Sequence, residues 1–100
     1  IKHGVIGDPG LFAAARRGER PQAARAMAVK IRLIQQDPYE SGRRAALNFG
    51  HTIGHALEQA SGYRLRHGEA VAIGMVAEAR LAERLGLAEQ GLAEQIAAAL

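Results

Sequence analysis

The sequence predicts an all-α protein. Alanine and leucine are abundant and β-branched residues few, a composition that favours helix. Apolar residues return at intervals of three and four, as in Ala24, Met27, Ala28, Ile31 and Ile34. Only "GVI", Gly4 to Ile6, reads as a possible short strand, and nothing else in the chain calls for a sheet.

The elements follow in order from the punctuation. "GDPGLFAAARRG" reads as a turn and a short helix ending near Gly18. "RPQAARAMAVKIRLIQQ" reads as a second helix, with Pro21 tolerated in its first turn. It stops at Asp37, because the residue before Pro38 is pushed out of the helical region. "DPYESG" is a loop, and a third helix is expected from about Arg43 to Ala60, ended by "SGY". "YRLRHG" is a connector. A fourth helix is expected from about Glu69 to Leu85, ended by Gly86, and a fifth from about Leu87.

One hundred residues, 48% hydrophobic and 23% charged, suit a single globular domain able to bury a small core. The chain opens on Ile1 and reaches Leu100 inside a helical pattern, so it reads as a piece of a longer protein. There is no cysteine, which excludes disulfides and thiolate metal sites and fits a reducing compartment. No apolar run approaches the roughly 20 residues of a membrane span, and no signal peptide is visible. A cytoplasmic protein is the expectation, with no membrane partner.

The net charge is +3, and its excess lies mainly between Arg16 and Arg44. Arg16, Arg17, Arg20, Arg25, Lys30, Arg32, Arg43 and Arg44 face only Glu19, Asp37 and Glu40 there. Solvated helix faces would account for this, as would an anionic small-molecule site. A nucleic-acid surface is disfavoured, since aromatics make up 4% of the chain and no nucleic-acid motif is present.

The stretch "LNFGHTIGHALE", Leu47 to Glu58, carries the chemistry. Residues four apart share a helix face, so His51 and His55 point the same way, as do Gly50 and Gly54. Each glycine inside a helix costs about 0.5–1 kcal/mol relative to alanine. Two of them point to close approach of another helix or of a ligand. His67 opens the next predicted helix, and a tight connector could bring it beside the pair. Three histidines in seventeen residues point to a metal or acid–base site, against the plainer reading of ordinary hydrogen-bonded histidines. Zinc takes three or four ligands. Spacing alone favours His51 and His55, with Glu40, Glu58 and Glu69 as nearby carboxylates. Arg44, Asn48, His51 and His55 would line one stripe of one helix, and an arginine fork suits a carboxylate or phosphate.

These residues resemble the 3-dehydroquinate synthase family over nearly the whole chain. "KIRLIQQDPYESGRRAALNFGHTIGHALE" is similar to the family's long signature, with Lys30, Asp37, Glu40, Gly42, Arg44, Leu47, Asn48, Gly50, His51 and His55 in matching places. "IKHGVIGDPGLF" and "RHGEAVAIGM" resemble the flanking segments. The resemblance implies a two-domain enzyme. An N-terminal α/β domain, absent from this chain, binds NAD, and residues 1–100 are part of a C-terminal helical domain for metal and substrate. The reaction implied turns 3-deoxy-D-arabino-heptulosonate 7-phosphate into 3-dehydroquinate and phosphate, through a transient oxidation by NAD.

The resemblance also assigns roles. Zinc or cobalt would be held by His51, His67 and a glutamate expected just before residue 1, which displaces His55 from the set that spacing favours. His55 becomes an acid–base and phosphate-contacting residue. Lys30 and Arg44 would hold the substrate carboxylate, Asn48 would lie near the phosphate and Lys2 would reach a substrate oxygen. Glu40 would be a second proton acceptor, on a loop where Pro38 departs from the family's usual acidic residue. A homodimer is implied for the full-length enzyme, and the fragment alone is expected to be inactive. Two other readings stand beside this one: a sister sugar-phosphate cyclase such as 2-deoxy-scyllo-inosose synthase, and a non-catalytic basic helical binding module.

Overall fold

A computed structural model describes all residues 1–100. It contains six α-helices and one 3-10 helix and no strand, so the all-α expectation holds. The helices are α1 (Lys2–Gly7), α2 (Pro9–Arg16), α3 (Ala23–Gln36), α4 (His51–Ala60), α5 (His67–Arg84) and α6 (Leu92–Ala99), with the 3-10 helix at Arg43–Asn48. "GVI" lies inside α1 and forms no strand. No helix is long and apolar enough to cross a membrane. The chain divides into two compact units, Ile1–Asn48 with Ala99, and Phe49–Ala98 with Leu100.

In the first unit, α1 and α2 meet closely. A Cβ on Gly4 would stand 2.6 Å from the Phe12 backbone nitrogen. Asp8 closes the turn between them, its Oδ1 accepting the Leu11 N–H at 3.0 Å as an N-cap, with Pro9 in the first turn of α2. Arg25 of α3 grips the same carboxylate at 2.7–3.0 Å. The Leu11 amide first, and Arg25 after it, hold the Asp8 carboxyl below its usual range.

Helix α3 stops at Gln36, as its Asp–Pro ending predicts. Its buried stripe is Val29 and Leu33, while Met27 and Ile31 stay about half exposed. The helical period was legible, but its phase was not fixed by the apolar spacing. Leu11 and Ala14 complete the buried apolar set of this unit.

The single helix expected over residues 43–60 does not form. The Asp37 carboxylate accepts from Ser41 N, Ser41 Oγ, Gly42 N and Arg44 N at 2.8–3.0 Å. Those bonds wind the following residues into a 3-10 helix. The chain then turns at Gly50, whose φ of 81° only glycine adopts without strain, and α4 begins at His51. Arg44 and Asn48 therefore do not share a continuous stripe with His51 and His55.

In the second unit, α4 crosses α5 at glycine. A Cβ on Gly74 would lie 2.1 Å from the Gly50 carbonyl oxygen, and one on Gly54 3.2 Å from Val71 Cα. The close helix approach inferred from the glycine spacing is present. Ala70, Val71, Met75 and Ala79 form the buried stripe of α5. Helix α5 starts at His67, earlier than expected, and Glu69 accepts the Arg66 N–H at 3.0 Å across its first turn. Helix α6 starts at Leu92, later than expected, after Gly91 at φ 88°. Glu83 caps it, accepting the Ala93 N–H at 2.7 Å.

Candidate metal centre

Helix α4 opens at its N-cap with a glycine that has no side chain to offer. Glu78 of α5 takes that role from outside the helix. It accepts the Gly50 N–H at 2.7 Å and approaches the Ile53 N–H at 3.4 Å. An anionic carboxylate at a helix N-terminus is favoured by both its free N–H groups and its dipole. The first turn of α4, which carries His51, is thereby fastened to α5. Sequence reasoning missed Glu78. Its signal was there, since a glutamate four residues after Gly74 lies on the face of α5 that the glycine brings against α4.

Three imidazoles meet in this unit. The ring centroids of His51 and His67 are 5.3 Å apart, those of His51 and His55 5.4 Å, and those of His55 and His67 6.0 Å. Two imidazoles on one tetrahedral zinc ion, with Zn–N distances of about 2.0–2.1 Å, put their centroids roughly 5 Å apart. Both pairs that include His51 have that centroid spacing, but His51 is not in the set of three donors that converge within 4.8 Å. One donor atom from each of His55, Glu58 and His67 also falls within 4.8 Å of the others. Neutral imidazoles and a carboxylate are the ligand types zinc and cobalt accept, so the donor set fits a divalent ion. Of the three carboxylates considered from sequence, Glu58 stands at this cluster, with Oε1 3.0 Å from His67 Nδ1. Glu69 is engaged at the start of α5, and Glu40 belongs to the other unit.

The remaining predicted site residues lie in the first unit. Lys2 Nζ donates to the Leu47 carbonyl at 2.9 Å, tying α1 to the 3-10 helix. Burial first, and then the charge of Lys30, lowers the Lys2 pKa, so these two cations stand close enough to repel. A repelling pair of ammonium groups is an anion-seeking arrangement. Glu40 sits at φ 56°, the left-handed region, and accepts from Asn48 Nδ2 at 3.1 Å. The Arg44 guanidinium donates to the Pro38 carbonyl at 2.9 Å, which holds this side chain back against the Asp37 loop. Hydrogen bonding to the Arg44 and Ser41 backbone amides, against the opposing effect of burial, drives the Asp37 carboxyl far below its usual range.

The model of the 3-dehydroquinate synthase C-terminal family matches residues 1–100. The chain belongs to that family. It is 47% identical over 98 residues to the 3-dehydroquinate synthase of Geobacter metallireducens, covering 86% of this chain and 27% of that protein. It is 43% identical over 108 residues to that of Streptococcus thermophilus, covering 97% of this chain and 30% of that protein. With the enzyme of Synechocystis sp. it shares 41% over 109 residues, covering 95% and 30%. The chain thus spans 27% to 30% of the length of these relatives. In this chain, the histidine cluster and the Asp37 loop are the two built features.

Proposed function

We propose that this chain is the metal- and substrate-binding part of a 3-dehydroquinate synthase. The reaction is the conversion of 3-deoxy-D-arabino-heptulosonate 7-phosphate to 3-dehydroquinate and phosphate, a lyase step of the shikimate pathway. The approach of His51 to His67 at 5.3 Å, in a chain of this family, is the observation that carries the reading.

His51 and His67 are the metal ligands in this reading, and a glutamate from outside this chain completes the set. A divalent zinc or cobalt ion held there supplies Lewis acidity toward a substrate hydroxyl. Lys30 and the Arg44 fork bind the substrate carboxylate, the fork by two parallel hydrogen bonds. Asn48 lies by the phosphate, and Lys2 meets a substrate oxygen. The exposed ring of His55 contacts the phosphate and exchanges a proton beside it. Glu40 accepts a second proton. The protein's share of the work is orientation and charge complementarity.

NAD is assigned to the part of the protein that this chain does not span. A strand–turn–helix cradle for a dinucleotide has no counterpart in a chain without strands. The full-length enzyme is read as a cytoplasmic homodimer with a small phosphorylated substrate and no nucleic-acid or membrane partner.

Phosphate release by the full-length protein, with NAD and zinc, tests the reading. Release from the heptulosonate phosphate, lost on chelation and absent with glucose 6-phosphate, is the expected result. Release from glucose 6-phosphate instead would move the protein to the sister cyclases. No release from either would overturn the catalytic reading.

A further inference from the structure

We propose that Glu58 is a positioning residue that sets the tautomer and aim of His67. The inference rests on the reading of His67 as a metal ligand. Glu58 Oε1 lies 3.0 Å from His67 Nδ1. The two side chains differ sharply in exposure, 15% for Glu58 and 59% for His67. The carboxylate is thus the fixed member of the pair, and the ring is the member that is held.

The tautomer follows from the chemistry of the contact. An ionised carboxylate only accepts hydrogen bonds, so the Nδ1 facing it must carry the proton. The neutral ring then keeps its lone pair on Nε2, the atom left to bind a metal. Without Glu58, both tautomers and several ring rotations become available to an exposed histidine at the first position of α5. Glu58 is three residues from His55 and seven from His51, so α4 presents all three on one face. One helix therefore supplies both a ligand and the partner that aims the ligand arriving from α5.

The competing role is Glu58 as a ligand itself, since its carboxylate lies with His55 and His67 within 4.8 Å. The two roles differ in what they do to apo protein. A positioning carboxylate controls the tautomer of His67 before any metal is added.

The test uses the full-length protein with Glu58→Ala, Glu58→Gln and His51→Ala, each confirmed folded by circular dichroism. Nitrogen-15 NMR of labelled histidine in the apo protein reads the tautomer. Zinc affinity is read by chelator competition, and the cobalt-loaded forms give visible spectra. In wild type, His67 should carry its proton on Nδ1. In Glu58→Ala it should shift toward the Nε2-protonated form, and zinc should bind roughly 10–100-fold more weakly. Glu58→Gln keeps an acceptor oxygen and should recover part of both. The cobalt spectrum should keep the intensity of the wild-type ligand number. An unchanged tautomer in Glu58→Ala, zinc affinity within twofold of wild type, or a cobalt spectrum reporting a lost ligand would each overturn the proposal. His51→Ala separates the two levels. If it abolishes zinc binding while Glu58→Ala does not weaken it, the proposal alone fails. If His51→Ala leaves zinc binding intact, the metal reading fails and takes the proposal with it.

Discussion

Replacing Gly74 by alanine tests the α4–α5 crossing, on which the histidine cluster depends. The added Cβ would sit 2.1 Å from the Gly50 carbonyl oxygen and 3.0 Å from the Gly54 nitrogen. Non-bonded heavy atoms settle at roughly 3.5–4.0 Å, so the helices must part by about 1 Å or more. Both neighbours are backbone, and neither can rotate away. Overpacking of this kind costs roughly 1–3 kcal/mol. Moving Gly50 also breaks its 2.7 Å bond to Glu78, a further loss of about 1 kcal/mol. Alanine returns about 1 kcal/mol through its helix propensity. The net is a destabilisation of about 2 kcal/mol, and for a chain this size the melting temperature should fall by roughly 8–16 °C. Two other glycines calibrate the argument. A Cβ on Gly54 meets Val71 and Ala70 backbone at 3.2–3.3 Å, and one on Gly68 meets nothing within 4 Å. Thermal melts of the 100-residue chain followed by circular dichroism should therefore rank Gly68→Ala highest, Gly54→Ala between, and Gly74→Ala lowest. A Gly74→Ala chain that melts with wild type, or above Gly54→Ala, would refute the close crossing.

Two further outcomes follow from the carboxylates. Glu78→Ala removes the cap supplied to α4 and should cost about 1–2 kcal/mol in denaturant titration, with a weaker zinc affinity because the first turn carries His51. An unchanged denaturation midpoint would contradict that role. Asp37 is held ionised in the folded state far below its usual range, chiefly by the Arg44 and Ser41 amides. Its contribution is then fully present above the ordinary carboxylate pKa of about 3.9 and fades as the pH falls toward the folded value. Acid titration of stability should show a shallower loss for Asp37→Asn than for wild type, and parallel curves would rule out the assigned hydrogen bonds.

The helical class and the C-terminal ends of α2 to α5 were legible because glycine and proline act locally, whereas α1 and the starts of α4, α5 and α6 were not. The Asp37 stop before Pro38 needs only its two residues. Part of what escaped was set by contacts distant in sequence. The apolar spacing of α3 has more than one acceptable phase, and packing rather than spacing selects Val29 and Leu33. The break between Arg44 and His51 is a local feature that helix propensity hid: it follows from four bonds to the Asp37 carboxylate, each within seven residues. Those bonds outweigh the helix propensity of "RRAALN". The histidines were legible as a group, since each is tied to an element whose start or face is locally encoded. Glu78 left only a partial signal, its place four residues after Gly74, because its partner amide lies 28 residues away.

Distance alone does not choose among the three histidines, because His51 stands 5.4 Å from His55 and 5.3 Å from His67. The first separation is what any histidine pair one helical turn apart tends toward. It comes with the helix and needs no ligand to account for it. The second joins two helices across a connector. It requires the glycine crossing, the Glu78 cap and the start of α5 at His67. A proximity that several independent features must cooperate to produce carries more information than one the helix supplies unaided. The carboxylate of Glu58 adds a direction to it, because it engages Nδ1 of His67 and leaves Nε2 as the donor. The donor atoms that converge within 4.8 Å are those of His55, Glu58 and His67, so the choice of His51 with His67 as the pair for an ion rests on the proposed function, and the Glu58 contact bears on His67 alone.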